Sequence, residues 1–242
     1  MAQPVADCSP ASVLSQQLLL SLAEQLKVPF LQIARQAELA TLTNELEQLT
    51  GISTAANGAL KLIDNYILGV QLASQPDFVF DTEPVSISSV LYDATAELLP
   101  MARAYGVKLD LDIGGKFTPV MAHRRGLQAA LVSLGYALIE ALPANDLPQL
   151  RLQFSAHRCR YGVVAGVYCD AANLSAATLR QGRLLHGKAG QPLTQLSPSS
   201  GAGIFVADAI FQAMQSELTT TRHNKLHGLG AVLQPNPQLQ LV

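Results

Sequence analysis

The chain has 242 residues, 49% hydrophobic and only 14% charged, and 16 Lys and Arg against 18 Asp and Glu leave a net charge of -2. This composition excludes a disordered chain, which combines low hydrophobicity with high net charge, and offers no basic stripe for nucleic acid and no polybasic run for an anionic membrane. Trp is absent and aromatics are 5%, so a stacking platform for single-stranded nucleic acid finds no support.

The length suits one large domain or two small ones, each able to bury a core. Cys8, Cys159 and Cys169 are an odd set without metal-type spacing, which points to free thiols in a reducing compartment. Leu18-Leu19-Leu20 is too short to span a bilayer, and no basic segment precedes it as in a signal peptide. A soluble cytoplasmic protein is expected.

Residues 1–10 carry two prolines and little pattern, so a loose arm is expected, with Ser9 or Ser12 capping the first helix. That helix runs from about Ala11 to about Gln48. Its apolar residues Leu22, Leu26, Phe30 and Ile33 recur at spacings of four, four and three, one face of an α-helix. Pro29 removes a donor and crowds the preceding turn, which predicts a kink. Thr50-Gly51 reads as a turn. A second helix from about Ser53 to Ala73 carries Leu60, Ile63, Ile67 and Val70 on one face and ends at Gln75-Pro76-Asp77. Two helices joined by a short turn make an antiparallel hairpin. One hairpin cannot cover its own apolar stripes, whereas two form a four-helix bundle, so a homodimer is expected. Residues 1–76 are assigned to this hairpin domain and 77–242 to a second domain.

From Phe78 the pattern changes. Phe78-Val79-Phe80 is a short strand candidate. Glu83-Pro84-Val85-Ser86 opens a helix from about Ile87 to Tyr105, with Gly106 as its terminator. Val107–Ile113 alternates apolar and charged residues, as a half-buried strand does. Gly114-Gly115 is a turn and Pro119–Ala122 a short strand. A helix from about Arg124 to Leu142 follows. Leu150–Ser155 and Arg160–Cys169 pair as antiparallel strands. A helix near Ala176–Leu184, a Gly/Pro/Ser-rich stretch, a helix from Gly203 to Ala213 and two closing strands complete the chain. The fold class is therefore α+β: a helical hairpin followed by an α/β sandwich with helices on one face.

The stretch SLAEQLKVPFLQI, from Ser21 to Ile33, resembles the phosphoacceptor segment of sensor histidine kinases, Ser-His-Glu-Leu-Arg-Thr-Pro-Leu. With Pro29 on the family proline, Val28 stands at the Thr, Lys27 at the Arg, Leu26 at the Leu and Gln25 at the Glu. Glu24 then occupies the place of the phosphorylated His, and a carboxylate lacks the imidazole nitrogen that becomes phosphohistidine. Leu62–Leu72, LIDNYILGVQL, resembles the family's second hairpin helix. The order of elements after residue 77 resembles the family's ATP-binding domain, a type shared with gyrase and the Hsp90 chaperones.

In that family four motifs hold the nucleotide. The Asn-Leu-x-x-Asn-Ala helix, whose second Asn binds Mg²⁺, matches Leu131–Leu138, with Ser133 and Ala137 in place of the two asparagines. A methyl group cannot ligate a hard cation that takes oxygen donors. Without the metal, charge developing on the phosphoryl group loses its main stabiliser. The Asp-x-Gly-x-Gly motif, whose Asp meets the adenine, keeps Asp170 but has Ala172 and Asn173 or Leu174 for the glycines. The aromatic patch becomes Leu184-Leu185. The Gly-x-Gly-x-Gly-Leu motif keeps Gly201 and Gly203 of three glycines at a loop-to-helix junction, where amides meet phosphate. Gly228-Leu229-Gly230 resembles the final turn and strand.

The resemblance thus implies a histidine-kinase-like dimer with eroded chemistry: no catalytic residue, no metal ligand, and no cofactor expected. Asp170, Gly201 and Gly203 stay open as vestigial nucleotide contacts if ATP and Mg²⁺ bind at all. Its expected role is a scaffold or regulator in two-component phosphorelay signalling, with a response regulator or another signalling protein docking on the hairpin near Glu24 and Lys27. The rival is an active ATP-dependent phosphotransferase with a non-standard acceptor. A chaperone-type ATPase is disfavoured, because those proteins lack such a hairpin. Among the remaining residues, His123 reads as a surface or capping residue. His157, His186, His223 and His227 show no spacing with a carboxylate or thiol partner.

Overall fold

The computed structural model describes residues 22–23, 26–27, 29–40, 46–75, 77–141, 151–170 and 198–236. The N-terminal arm, Glu24, Gln25, Val28, Cys8, the helix expected near 176–184, the Leu184-Leu185 patch and His186 lie outside them. The kink expected at Pro29 involves Val28 and lies outside them too.

Residues 29–40 are helical. Helix α1, Leu46–Ser74, runs back along them. A Cβ on Gly51 would meet Gln36 Cδ at 3.2 Å. Pro29 and Gln32 line one cavity with Ala55 and Gly58. Partners rise in number on one helix as they fall on the other, which is antiparallel pairing. The turn expected at Thr50-Gly51 is corrected: α1 begins at Leu46 and passes through both residues. Gly51 is small because Gln36 lies against it, and Thr54 Oγ1 donates back to the Thr50 carbonyl within the helix.

The strand expected at Phe78–Phe80 is also corrected. That segment is unpaired, and strand β1 is Glu83–Val85. The Phe80 N–H donates to the Ala213 carbonyl at 2.8 Å, so this backbone closes a helix end rather than a ladder. Helix α2 (Ile87–Ala104) follows, then β2 (Lys108–Ile113), β3 (Val120–Ala122), α3 (Arg124–Ala141), β4 (Arg151–Cys159) and β5 (Gly162–Cys169). Helix α4 (Pro198–Ala213), β6 (Leu218–His223) and β7 (Leu226–Leu233) complete the described chain. Gly106 ends α2 as expected. It takes φ +67°, and the Gly106 and Val107 amides donate back to Arg103 and Ala102 carbonyls.

The main sheet has the order β2-β4-β5-β7-β6, with β2 parallel to β4 and the other pairs antiparallel; β1 and β3 form a separate two-stranded sheet. Alternate residues of each strand enter one core, among them Leu152 and Phe154 of β4 and Leu229 and Ala231 of β7. The helices cover that face. Cys159 and Cys169, neither in a disulfide, stand at opposite ends of the β4–β5 pair.

Helix α4 is buried on every side from Gly201 to Phe211, as a helix that is apolar all round must be. Against α1 the approach is close: a Cβ on Gly69 would lie 2.9 Å from Val206 Cγ2. Leu62, Tyr66 and Leu72 of α1 accordingly belong to the same core as the sheet. The opposite side of α1 exposes Leu49, Leu60, Ile67 and Val70. With Ser53, Ala56 and Ile63 these recur at alternating steps of four and three, the spacing of a coiled-coil seam.

Candidate functional site

Ser133, Ala137 and Gly203 come together where α3 and α4 cross, and Gly201 is buried two residues earlier on α4. Ala137 is fully buried and Ser133 nearly so. A Cβ on Gly203 would lie 2.4 Å from the Ser133 carbonyl oxygen and 3.0 Å from the Ala137 Cβ. The two helices are therefore in backbone contact at the level where the resemblance places metal and phosphates. The position of the glycines is corrected as well: α4 starts at Pro198, so neither lies at a loop-to-helix junction. Gly203 is the sixth residue of the helix, and an amide in the second turn donates to the carbonyl four residues back. Pro198 carried the signal for the earlier start, since proline favours the first helical position.

Asp170 is exposed at the C-terminal end of β5, on a different element from the α3–α4 crossing. The residues that follow it in its motif are outside the described ones. Sequence reading passed over Asp208, the single charge in the apolar run Gly203–Ala213. It is fully buried, and Gln212 Nε2 donates to its Oδ2 at 2.8 Å.

His123 is a cap, as read. Its Nδ1 accepts the Gly126 N–H at 3.1 Å at the start of α3, and its ring stacks on Phe80 at 4.3 Å. Beside it Arg124 donates to Ser89 and pairs with Asp93 at 2.8 Å. Glu97 of α2 pairs with Lys61 of α1 at 3.1 Å and accepts from Gln128 of α3 at 2.8 Å. One carboxylate thus ties three helices together. Pro29, Gln32, Lys61, Glu97 and Tyr136 line a cavity of about 250 Å³ between residues 29–32 and helices α1, α2 and α3.

His223 shows no ligand spacing in the sequence, yet the fold brings a carboxylate to it. Its Nε2 lies 3.1 Å from Asp112 Oδ2, although 111 positions separate the two in sequence. Burial, and secondarily the neighbouring His223, hold the His157 imidazole below its ordinary value, against a smaller upward pull from Asp112. Burial pushes the Tyr168 phenol up, opposed by its hydrogen bond from Thr221.

No family model matches this chain, and no curated protein matches it in sequence. Solved structures do match it in fold. The Acinetobacter baumannii histidine kinase AdeS aligns with a TM-score of 0.52 at 13% identity, covering 87% of this chain and 97% of that one. The catalytic domain of histidine kinase ThkA aligns with a TM-score of 0.51 at 12% identity over 66% of this chain and 99% of that one. Full-length ShkA in complex with AMPPNP aligns with a TM-score of 0.53 at 12% identity over 91% of this chain but 46% of that one. These likenesses establish a fold of the histidine-kinase ATP-binding type.

Proposed function

We propose that this chain, built on the histidine-kinase ATP-binding fold, is a catalytically silent, dimeric scaffold or regulator in two-component phosphorelay signalling. The observation that carries the reading is the α3–α4 contact, where Gly203 lies against the Ser133 carbonyl and the Ala137 methyl. A nucleotide's phosphates and a magnesium ion need a gap and oxygen donors there. This chain offers a filled helix crossing and a methyl group. Calorimetric titration with ATP, with and without Mg²⁺, tests the reading: no saturable heat is expected, and saturable, metal-dependent binding overturns it.

The rival, an active phosphotransferase with a non-standard acceptor, draws on Asp170, exposed at the end of β5. Incubation with labelled Mg-ATP separates the two. The silent reading expects unlabelled protein, and acid-labile phosphate on a histidine defeats it.

The dimer rests on the uncovered seam of α1. Leu60 is 59% exposed and Ile67 51%, large values for aliphatic residues repeating along one helix face. A second hairpin covers that seam as a four-helix bundle. Ile67→Lys places like charges across the two-fold at its middle, so light scattering should read a dimer for the parent chain and a monomer for the variant. A monomeric parent chain sinks the proposal. A response regulator or other signalling protein would then dock on the bundle face that carries exposed Lys27; Glu24 lies outside the described residues.

A further inference from the structure

The face of the main sheet turned away from the helices carries a second constellation. Strand alternation places Asp110 and Asp112 of β2 there, with Gln153, Ser155 and His157 of β4, Tyr168 of β5, and Thr221 and His223 of β6. β2 and β6 are the two edge strands, with three strands between them. On a flat sheet four strand spacings would hold them about 19 Å apart. Asp112 and His223 nevertheless meet at 3.1 Å. The sheet coils until its edges close over this face, an extreme of the twist all sheets share.

Glycines make the closure fit. Tyr168 is fully buried against β7, where a Cβ on Gly228 would lie 2.6 Å from its ring. Thr221 Oγ1 donates to the Tyr168 hydroxyl at 2.9 Å.

The joint has three parts. Asp112 Oδ2 accepts from Asn224 Nδ2 at 2.8 Å, and Asn224 sits in the two-residue β6–β7 turn with φ +48°. Asp112 Oδ2 also faces His223 Nε2 at 3.1 Å, and Asn224 Nδ2 lies 3.1 Å from the same nitrogen; a carboxylate can only accept, so the Asp112 contact is a hydrogen bond when Nε2 carries a proton. Finally, the His157 ring stacks on the His223 ring at 4.2 Å between centroids and 4° between planes. Working against closure, Gln153 Oε1, Ser155 Oγ and His157 Nδ1 are buried with no hydrogen-bond partner among the described residues. Each would be satisfied by water on opening. Closure is thus held by few groups and opposed by three.

We propose that this joint is a proton-operated clasp: it holds β6 against β2 while the stacked imidazoles carry at most one proton, and it releases when both are charged. One imidazolium is matched by Asp112. A second is a like charge stacked on the first, with no further free carboxylate facing it among the described residues. Asp110, two residues earlier on the same face, is engaged by Lys108 and Arg151. β5 presents only the Tyr168 phenol, and β7 presents Gly228, Gly230 and Val232, none of which titrates.

The sign follows from His157. A folded value below the unfolded one, about 6.5, means that the unfolded or opened form binds the proton more readily. The closed form therefore has its full stability above about pH 6.5 and loses it as pH falls through the depressed value.

Hydrogen exchange of the intact chain, corrected for the intrinsic effect of pH, reads the clasp. Protection over residues 218–228 should fall about tenfold more than that of α3 between pH 7.5 and 5.5. His157→Phe keeps a flat ring for the stack and carries no proton, so it should abolish the fall. Asp112→Asn removes the counter-charge and should raise exchange at pH 7.5. Ring titration by NMR in the parent chain is independent of either variant and should place His157 below 6.5. A pH-insensitive parent chain, a His157 ring that titrates at its ordinary value or above, or a fall that persists in His157→Phe overturns the proposal.

Discussion

Gly203→Ala is expected to lower stability by about 2 kcal/mol, against the sign that helix propensity assigns. In a helix interior Ala is favoured over Gly by roughly 1 kcal/mol. The new methyl would lie 2.4 Å from the Ser133 carbonyl oxygen. That atom belongs to backbone inside α3 and cannot swing aside, so the helices must part, and overpacking of this kind costs about 1–3 kcal/mol or more. Gly58→Ala is the control. It lies in α1, and among the described residues its methyl would find only the Tyr136 hydroxyl at 3.9 Å, an ordinary contact. It should stabilise by about 0.5–1 kcal/mol. Denaturant midpoints at unchanged slope measure both. Equal, stabilising effects at the two sites would show that α3 and α4 are not packed as described.

Ala137→Asn restores the residue that the kinase resemblance places at the metal. It should not restore the metal site. Ala137 is fully buried at the same crossing, and Asn adds three heavy atoms where the neighbouring helix leaves no room. Overpacking and an unsatisfied buried amide together should cost about 3–5 kcal/mol. The variant should melt earlier and still give no metal-dependent heat with ATP. If it keeps parental stability and binds Mg-ATP, the crossing is a collapsed pocket rather than a packed core, and the silent-scaffold reading fails.

The sequence was most legible where local periodicity and burial agree. α2, α3, β2 and the β4–β5 pair stand close to where alternation and helical spacing put them, and Gly106 stops α2 through the positive φ its position requires. Glycine elsewhere was ambiguous. Gly51 and Gly203 read as a turn and a loop junction because glycine signals both breaks and close approach. Which one applies depends on partners distant in sequence: Gln36 for the first, Ser133 for the second. Phe78–Phe80 alternates like a strand, but tertiary contacts with Ala213 and His123 claim its backbone and ring. The Asp112–His223 joint was invisible for a different reason. Spacing rules see neighbours within one element, whereas the coil of the sheet brings opposite edges together. Gly228 and Gly230, read as part of a closing turn, lie within β7, and the turn itself is Asn224-Lys225.

Helix α1 has a consequence beyond its own packing. It is 29 residues long, a rod of about 44 Å, and it belongs at once to the core under α4 and to the bare seam on its far side. α1 thus touches α4 directly, Gly69 against Val206, rather than only through the segment that joins it to β1. If the proposed partner docks on this helix and twists it, the torque would reach Val206 through Gly69, as strain carried by one stiff shaft.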